Sequence, residues 1–230
     1  MTSPHHLHAT AATWSLGAAL TTLHATAAIE ARAIRAQVAT AAEPLRSPSW
    51  GRRYALGGHG DPTGDAINAT RSARARPNRY ELLHADVQEQ LLTVAHHLPH
   101  PEHINPLGRI RASIPGMQPG TAAGTTRLLD RLDERVRRIL RLRPALERLP
   151  DVTCPACRRR LVYVQTAAPL DEQTVICGRG CRCTGVGLDG QGCACGTAYR
   201  VEGVAHIWLR SDVLGAVAGA APTTTREDQP

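Results

Sequence analysis

The 230-residue chain has no phenylalanine, no lysine, only 3 asparagines, and no cysteine before position 154. Without lysine, all 27 basic residues are arginine, and with 35 alanines beside them the pattern is that of GC-rich codons. The arginine excess and a pI near 9.4 are therefore not in themselves signs of selection for phosphate binding. Without phenylalanine, and with aromatics at 3%, bulky core side chains are scarce. No uninterrupted apolar run approaches the ~20 residues of a membrane-spanning helix. The only stretch resembling a secretory leader, Trp14 to Ala28, has its first positive residue after it, at Arg32, and is interrupted by Ser15, Gly17, Thr21, Thr22 and His24. The expected setting is a reducing cytoplasm, where clustered cysteines hold metal rather than disulfides. Apolar content of 42% without a strict repeat excludes a fibrous or wholly disordered chain.

What is present divides the chain unevenly. From Ala12 to about Ala42, Leu16, Leu20, Leu23, Ala27, Ala31, Ile34 and Val38 recur at steps of three or four, an apolar stripe down one helix that Pro44 and Pro48 end. Its face is narrow and alanine-rich, as suits a bundle helix with a close partner. Gly57 to Asp65 is glycine-rich but lacks the Gly-Lys-Ser/Thr ending of a phosphate loop, so it reads as a turn; Asp61-Pro62 then caps a short helix towards Ala75. Another helix is expected from Asn78 to Leu98, with Leu83, Val87, Leu91, Val94 and Leu98 on one face. Residues 1–98 thus form an alanine-rich helical region. Residues 99–124, with five prolines and four glycines, read as a linker. Residues 125–150 read as an arginine-rich helix with a Leu128, Leu132, Val136 and Ile139 stripe, broken by Pro144. Residues 101–150 carry net +5 of the total +7. Asp130, Asp133 and Glu134 stand at helical spacing from several of these arginines, so a solvated, salt-bridged face competes with a phosphate-binding one.

All seven cysteines fall between Cys154 and Cys195, within a region 151–210 that precedes a tail at 211–230. Cys154-Pro155-Ala156-Cys157 has the knuckle spacing that lets two thiolates and the intervening amides fold around one tetrahedral ion. The strand-like Arg160 to Gln165, a turn over Thr166 to Glu172, and Thr174-Val175-Ile176 form a hairpin that delivers Cys177 and Cys181 as the second pair. Cys183, Cys193 and Cys195 remain, and His206 on the strand Ala205 to Leu209 offers a fourth donor. The preferred partition is Cys154, Cys157, Cys177 and Cys181 around one zinc, and Cys183, Cys193, Cys195 and His206 around another. A single-site alternative pairs Cys154 and Cys157 with Cys193 and Cys195, and four thiolates also suit an iron–sulfur cluster.

No enzyme is expected. There is no His-Glu-x-x-His and no Gly-x-Ser-x-Gly, and the zinc-deaminase pattern of a His-x-Glu ahead of Pro-Cys-x-x-Cys is read as absent, with Thr153 in the place of its proline. The strand after Cys157 replaces the long helix of a thioredoxin-like site. His5, His6 and His8 lie in an expected mobile terminus, and His96, His97, His100 and His103 read as capping or solvent-facing residues.

At Cys154-Pro155-Ala156-Cys157, Cys177-Gly178-Arg179-Gly180-Cys181-Arg182-Cys183-Thr184-Gly185, Cys193-Ala194-Cys195 and His206-Ile207-Trp208, the sequence resembles uncharacterised zinc-ribbon proteins of actinobacterial phages and their hosts. The resemblance spans about 55 residues, with a looser match at Gly60 to Ala66, and implies a metal-binding fold in a bacterial host cell. The fold class is then α+β: an N-terminal helical bundle followed by a small β-hairpin zinc-ribbon module. One expected function is DNA or RNA binding through phosphate contacts by Arg135, Arg138, Arg141, Arg143, Arg158, Arg159 and Arg160. The other is an adaptor whose helices bind a protein partner or a second copy of the chain, with zinc purely structural.

Overall fold

The structure, a computed structural model, describes residues 3–42, 78–99, 105–185, 192–195 and 200–219. The glycine-rich turn at Gly57, the helix expected from Pro62, and His100 and His103 lie outside these residues. The chain divides into two compact units, Leu20–Gln90 and the remainder, Met1–Ala19 with Leu91–Pro230.

Helix α1 runs Pro4–Ala42 and α2 runs Arg79–His96. Within Leu20–Gln90, Leu23, Ala27, Leu83 and Val87 of the two stripes are buried. Asn78 sets the start of α2. Its Oδ1 accepts from the amides of Tyr80 and Glu81 at 3.1 and 2.8 Å, and the Glu81 carboxylate accepts from the Asn78 amide at 3.1 Å, a reciprocal capping box. The Asn78 side-chain amide also donates to the Ala27 carbonyl at 3.0 Å.

The segment read as a linker is largely helical. Helix α3 spans Pro106–Ser113, a 3-10 turn follows at Ile114–Gly116, and α4 spans Pro119–Leu140, six residues earlier than its stripe announces. The prolines misled because Pro106 and Pro119 occupy first helical turns, where the missing amide hydrogen costs nothing and the fixed φ is already helical. Asn105 caps α3 by accepting from the Leu107 amide at 3.0 Å. Ala9 of α1, Ile114 and Ala122 then bury against one another.

Helix α4 ends at Leu140, so residues 125–150 are not one helix; Arg141 closes it with a left-handed backbone at φ 56°. Its buried side carries Leu129, Leu132 and Val136. Arg137 faces inward rather than out. Its guanidinium donates to Asp133 at 2.8 Å, to the Ser15 carbonyl at 3.0 Å and to the Arg143 carbonyl at 2.7 Å, while the Ser15 hydroxyl donates to Asp133 at 2.8 Å. Two of the N-terminal histidines, His6 and His8, are likewise docked. His6 Nε2 donates to the Met117 carbonyl at 2.8 Å, which leaves Nδ1 to accept from the Ser3 hydroxyl, and His8 Nε2 donates to the Ala205 carbonyl at 2.9 Å. Trp14 Nε1 donates to Glu172 at 2.7 Å, and the Arg111 guanidinium lies 3.9 Å from the Trp14 ring centroid.

The expected hairpin is the centre of a larger sheet. Strands β1 (Leu146–Arg148), β2 (Val162–Gln165), β3 (Thr174–Cys177) and β4 (Ile207–Leu209) pair antiparallel in chain order, with Val162 opposite Cys177 and Ile176 opposite Ile207. Helix α5, Arg210–Gly219, follows β4 directly, so the first part of the expected tail is also ordered structure. Val162, Val164, Val175, Trp208 and Val213 form the core beside the sheet, together with Cys154, Cys177, Cys183 and Cys195.

Arg137 and Arg138 should therefore behave differently. Arg137→Ala leaves a buried-side network without its cation and is expected to lower unfolding free energy by about 1.5–3 kcal/mol, whereas Arg138→Ala, on the exposed side, stays within about 0.5 kcal/mol; urea denaturation of both variants measures this.

Candidate metal centre

The loop between β1 and β2 turns back on itself at the first cysteine pair. The Arg158 amide donates to the Cys154 carbonyl and the Cys154 amide to the Arg159 carbonyl, both at 2.9 Å, while the Cys157 amide points at Cys154 Sγ at 3.5 Å. This tight turn requires a left-handed backbone at Arg158, φ 57°. The second pair leaves the end of β3 in the same way. Gly180, at φ 61°, donates its amide to the Cys177 carbonyl at 2.8 Å, and Gly178 lies so close to Tyr163 that a Cβ there would sit 2.5 Å from the ring. Glycine at 178 is therefore a matter of space and at 180 of backbone conformation.

Two groups of donors result: Cys154, Cys157, Cys177 and Cys181 in one, and Cys183, Cys193, Cys195 and His206 in the other, with all ligand atoms of a group within 4.8 Å of one another. These are the two sets expected from the sequence. The single-site alternative of Cys154, Cys157, Cys193 and Cys195 is split between them. All seven cysteines are free thiols. Cys154 Sγ lies 3.6 Å from Cys181 Sγ, and Cys157 Sγ 3.7 Å from Cys177 Sγ. A tetrahedron with metal–sulfur bonds of about 2.3 Å has an edge of about 3.8 Å, so these spacings fit one ion held by four thiolates. In the second group Cys193 Sγ and His206 Nε2 are 3.3 Å apart, within a few tenths of the about 3.6 Å expected for a sulfur and a nitrogen on one zinc-sized ion. The two clusters are thus compatible with two metal ions.

The second group is assembled on a short antiparallel track. The His206 amide donates to the Cys181 carbonyl at 3.1 Å, the Cys183 amide to the Val204 carbonyl at 2.8 Å, and the Cys193 amide to the Gly185 carbonyl at 2.9 Å. Trp208 braces it from β4. Its indole donates to the Cys195 carbonyl at 2.8 Å and stacks on His206, with ring centroids 5.5 Å apart. The motif reading had no role for this tryptophan; its position two residues after a ligand histidine on a strand, hence on the same face, was the available signal.

The electrostatics suit a site that must lose protons to bind. Burial pushes the Cys154 thiol up to about 11 against the lowering effect of the Cys157 and Ala156 amides, and burial followed by the neighbouring Cys177 and Cys154 sulfurs raises Cys181 well above the ordinary thiol range. At Cys193 burial also raises, but the Thr184 amide and hydroxyl, Cys195 and His206 outweigh it and bring the pKa down to about 6. Cys177 is likewise lowered once the Arg179 amide and the adjacent thiols overcome burial, whereas burial raises Cys183. Neither group contains a carboxylate. The His-x-Glu of a zinc deaminase, read as absent, does occur upstream at His100-Pro101-Glu102, outside the described residues.

The seven arginines expected to bind phosphate are all exposed. Arg135 and Arg138 share a helical face with Arg127 and Arg131, two arginines of the same helix that are not among the expected phosphate contacts, because positions 127, 131, 135 and 138 fall within about 80° around a helix. That face points away from Leu129, Leu132 and Val136, its centre about 140° from theirs around the helix. Arg141 and Arg143 follow the end of α4, and Arg158 to Arg160 lie on the loop into β2, where the Arg160 carbonyl accepts from Arg148 at 3.3 Å. Among the described residues, no helix is long and apolar enough to cross a membrane. No family model, curated protein or solved structure matches the chain.

The full chain purified without chelators should contain two metal ions. Stripping them with a strong chelator should collapse amide chemical-shift dispersion across β2 and β3 while helical circular dichroism largely persists, because the core beside the sheet is drawn from residues 149–214 alone.

Proposed function

We propose that the protein is a non-enzymatic, zinc-stapled nucleic-acid-binding protein of phage or actinobacterial origin, with a cytoplasmic regulatory role and both zinc ions structural. Four protein donors at each centre support the structural assignment, because a catalytic zinc keeps one position open for water. Zinc is favoured over a four-iron cluster because such a cluster spreads its thiolates over separate irons, while here four donors converge on the space of one ion. The motif resemblance to phage zinc ribbons points the same way.

The observation that carries the nucleic-acid reading is the arginine stripe of α4, on the side of the helix away from the buried Leu129, Leu132 and Val136. Arginines placed there contribute nothing to the core, and they meet solvent side by side along the helix, flanked on one edge by Asp130 and Glu134. A second observation supports it. The described non-glycine residues with left-handed backbones are Arg141 and Arg158, both among the expected phosphate contacts. Glycine would relieve a strain of about 1 kcal/mol at either position. Few aromatics stand ready to stack on bases, which favours phosphate-directed binding to duplexes over single-strand reading.

The alternative is the adaptor, in which Ile29 and Leu82, 65% and 56% exposed, belong to an interface with a protein partner or a second copy.

Fluorescence anisotropy with duplex DNA and duplex RNA separates the two. The regulator binds with an affinity that falls steeply between about 50 and 200 mM salt, and Arg138→Ala or Arg159→Ala each lowers the log–log salt slope by about one. An absence of binding at 50 mM salt together with stable self-association supports the adaptor instead. Arg158→Gly should act in opposite directions on two measurements, making the ribbon about 1 kcal/mol more stable in denaturant while weakening duplex binding.

A further inference from the structure

His206 touches both donor groups. It is 5% exposed, Nε2 lies 3.3 Å from Cys193 Sγ, and Nδ1 lies 3.3 Å from Cys181 Sγ, which belongs to the other group. An imidazole with Nε2 bound to a metal carries its proton on Nδ1, so that nitrogen can only donate. The acceptor within its reach is the Cys181 sulfur. That sulfur, bound to the first ion, keeps lone pairs free to accept. We propose that His206 couples the two metal centres: Nε2 ligates the second ion while Nδ1–H donates to Cys181, a ligand of the first.

Three features hold the ring in this bridging position. The His206 amide donates to the Cys181 carbonyl at 3.1 Å, which keeps backbone and side chain of the two residues side by side. Arg182 and Ala205 pair as an antiparallel bridge immediately beyond them. Trp208 stacks on the ring at an interplanar angle of 21° and is itself fixed by its bond to Cys195. The ring is therefore positioned from the second centre, and its remaining N–H is delivered to the first.

The chemical effect follows from the thiolate's charge. A ligating Cys181 carries excess negative charge beside three other thiolates, and a hydrogen bond from a buried N–H stabilises that charge without adding a fifth ligand. Occupation of the second centre fixes the tautomer and orientation that the bond requires, so it strengthens the first centre. By reciprocity, occupation of the first strengthens the second by the same factor. His206 is thus a ligand of one ion and a positioning residue for the other, and the two ions load cooperatively.

This inference rests on the two-centre reading, and the test separates them. The full chain is loaded with cadmium-113 and its nitrogen-15 imidazole resonances are recorded. The expected spectrum has two cadmium signals, with His206 Nε2 coupled directly to one and the slowly exchanging Nδ1 proton coupled through the Cys181 sulfur to the other. One cadmium signal at saturation refutes the two-centre reading itself. Two signals with a freely exchanging Nδ1 proton coupled to neither ion leave both centres standing and overturn the coupling.

The variant His206→Cys gives a second measure. It supplies a fourth thiolate to the second centre and removes the N–H. Two ions per chain should be retained, with transfer of the first to a competing chelator made easier by about 10–100-fold; transfer as in the unaltered chain overturns the proposal.

Discussion

The side chains that form the two candidate metal centres are also the ones that fill the hydrophobic core in the C-terminal half of this protein. Cys154 and Cys195 are fully buried, Cys177 and Cys183 nearly so, and all four pack with Val162, Val164, Val175 and Trp208. A chain without phenylalanine has few other ways to fill a small core. Sulfur is a soft, space-filling atom, and four sulfurs gathered at such spacings can be joined by one metal ion. The four-stranded sheet is correspondingly short, its longest strands having 4 residues, too few to stand by backbone pairing alone.

The helices show how one residue type serves opposite ends. Arg137 of α4 is drawn inward to Asp133 and to the Ser15 backbone, whereas Arg127, Arg131, Arg135 and Arg138 lie on the far side. Composition cannot distinguish them, since every cation of this chain is arginine. A difference of one position along the helix, about 100°, decides whether the guanidinium closes a polar network or meets solvent.

The donor groups were the most legible part of the chain. Knuckle spacing, the intervening β-rich segment and an orphaned set of three cysteines beside a strand histidine led to the ligands the structure groups together. Helices α1 and α2 were legible from their stripes, and the α+β class followed. Two kinds of feature escaped. Helix α3 and the start of α4 were masked by Pro106 and Pro119, because proline signals a helix start as readily as a break and only the neighbouring cap tells which. Strand β1 is exposed at all 3 of its residues, so it has no alternating pattern to read; it exists because β2 offers it an edge. The docking of His6 and His8 was equally hidden, since their partners are backbone carbonyls more than a hundred residues away.

That docking gives the chain a direction of assembly. His8 bonds the carbonyl of Ala205, 197 positions later and adjacent to His206 of the second donor group. During synthesis the first turns of α1 emerge long before the residue that receives them, and they wait through the production of almost two hundred further residues. The contact can form only once Ala205 is made, one residue before the last donor of the two groups. Docking of His8 and completion of the donor groups therefore fall at the same point in the life of the nascent chain.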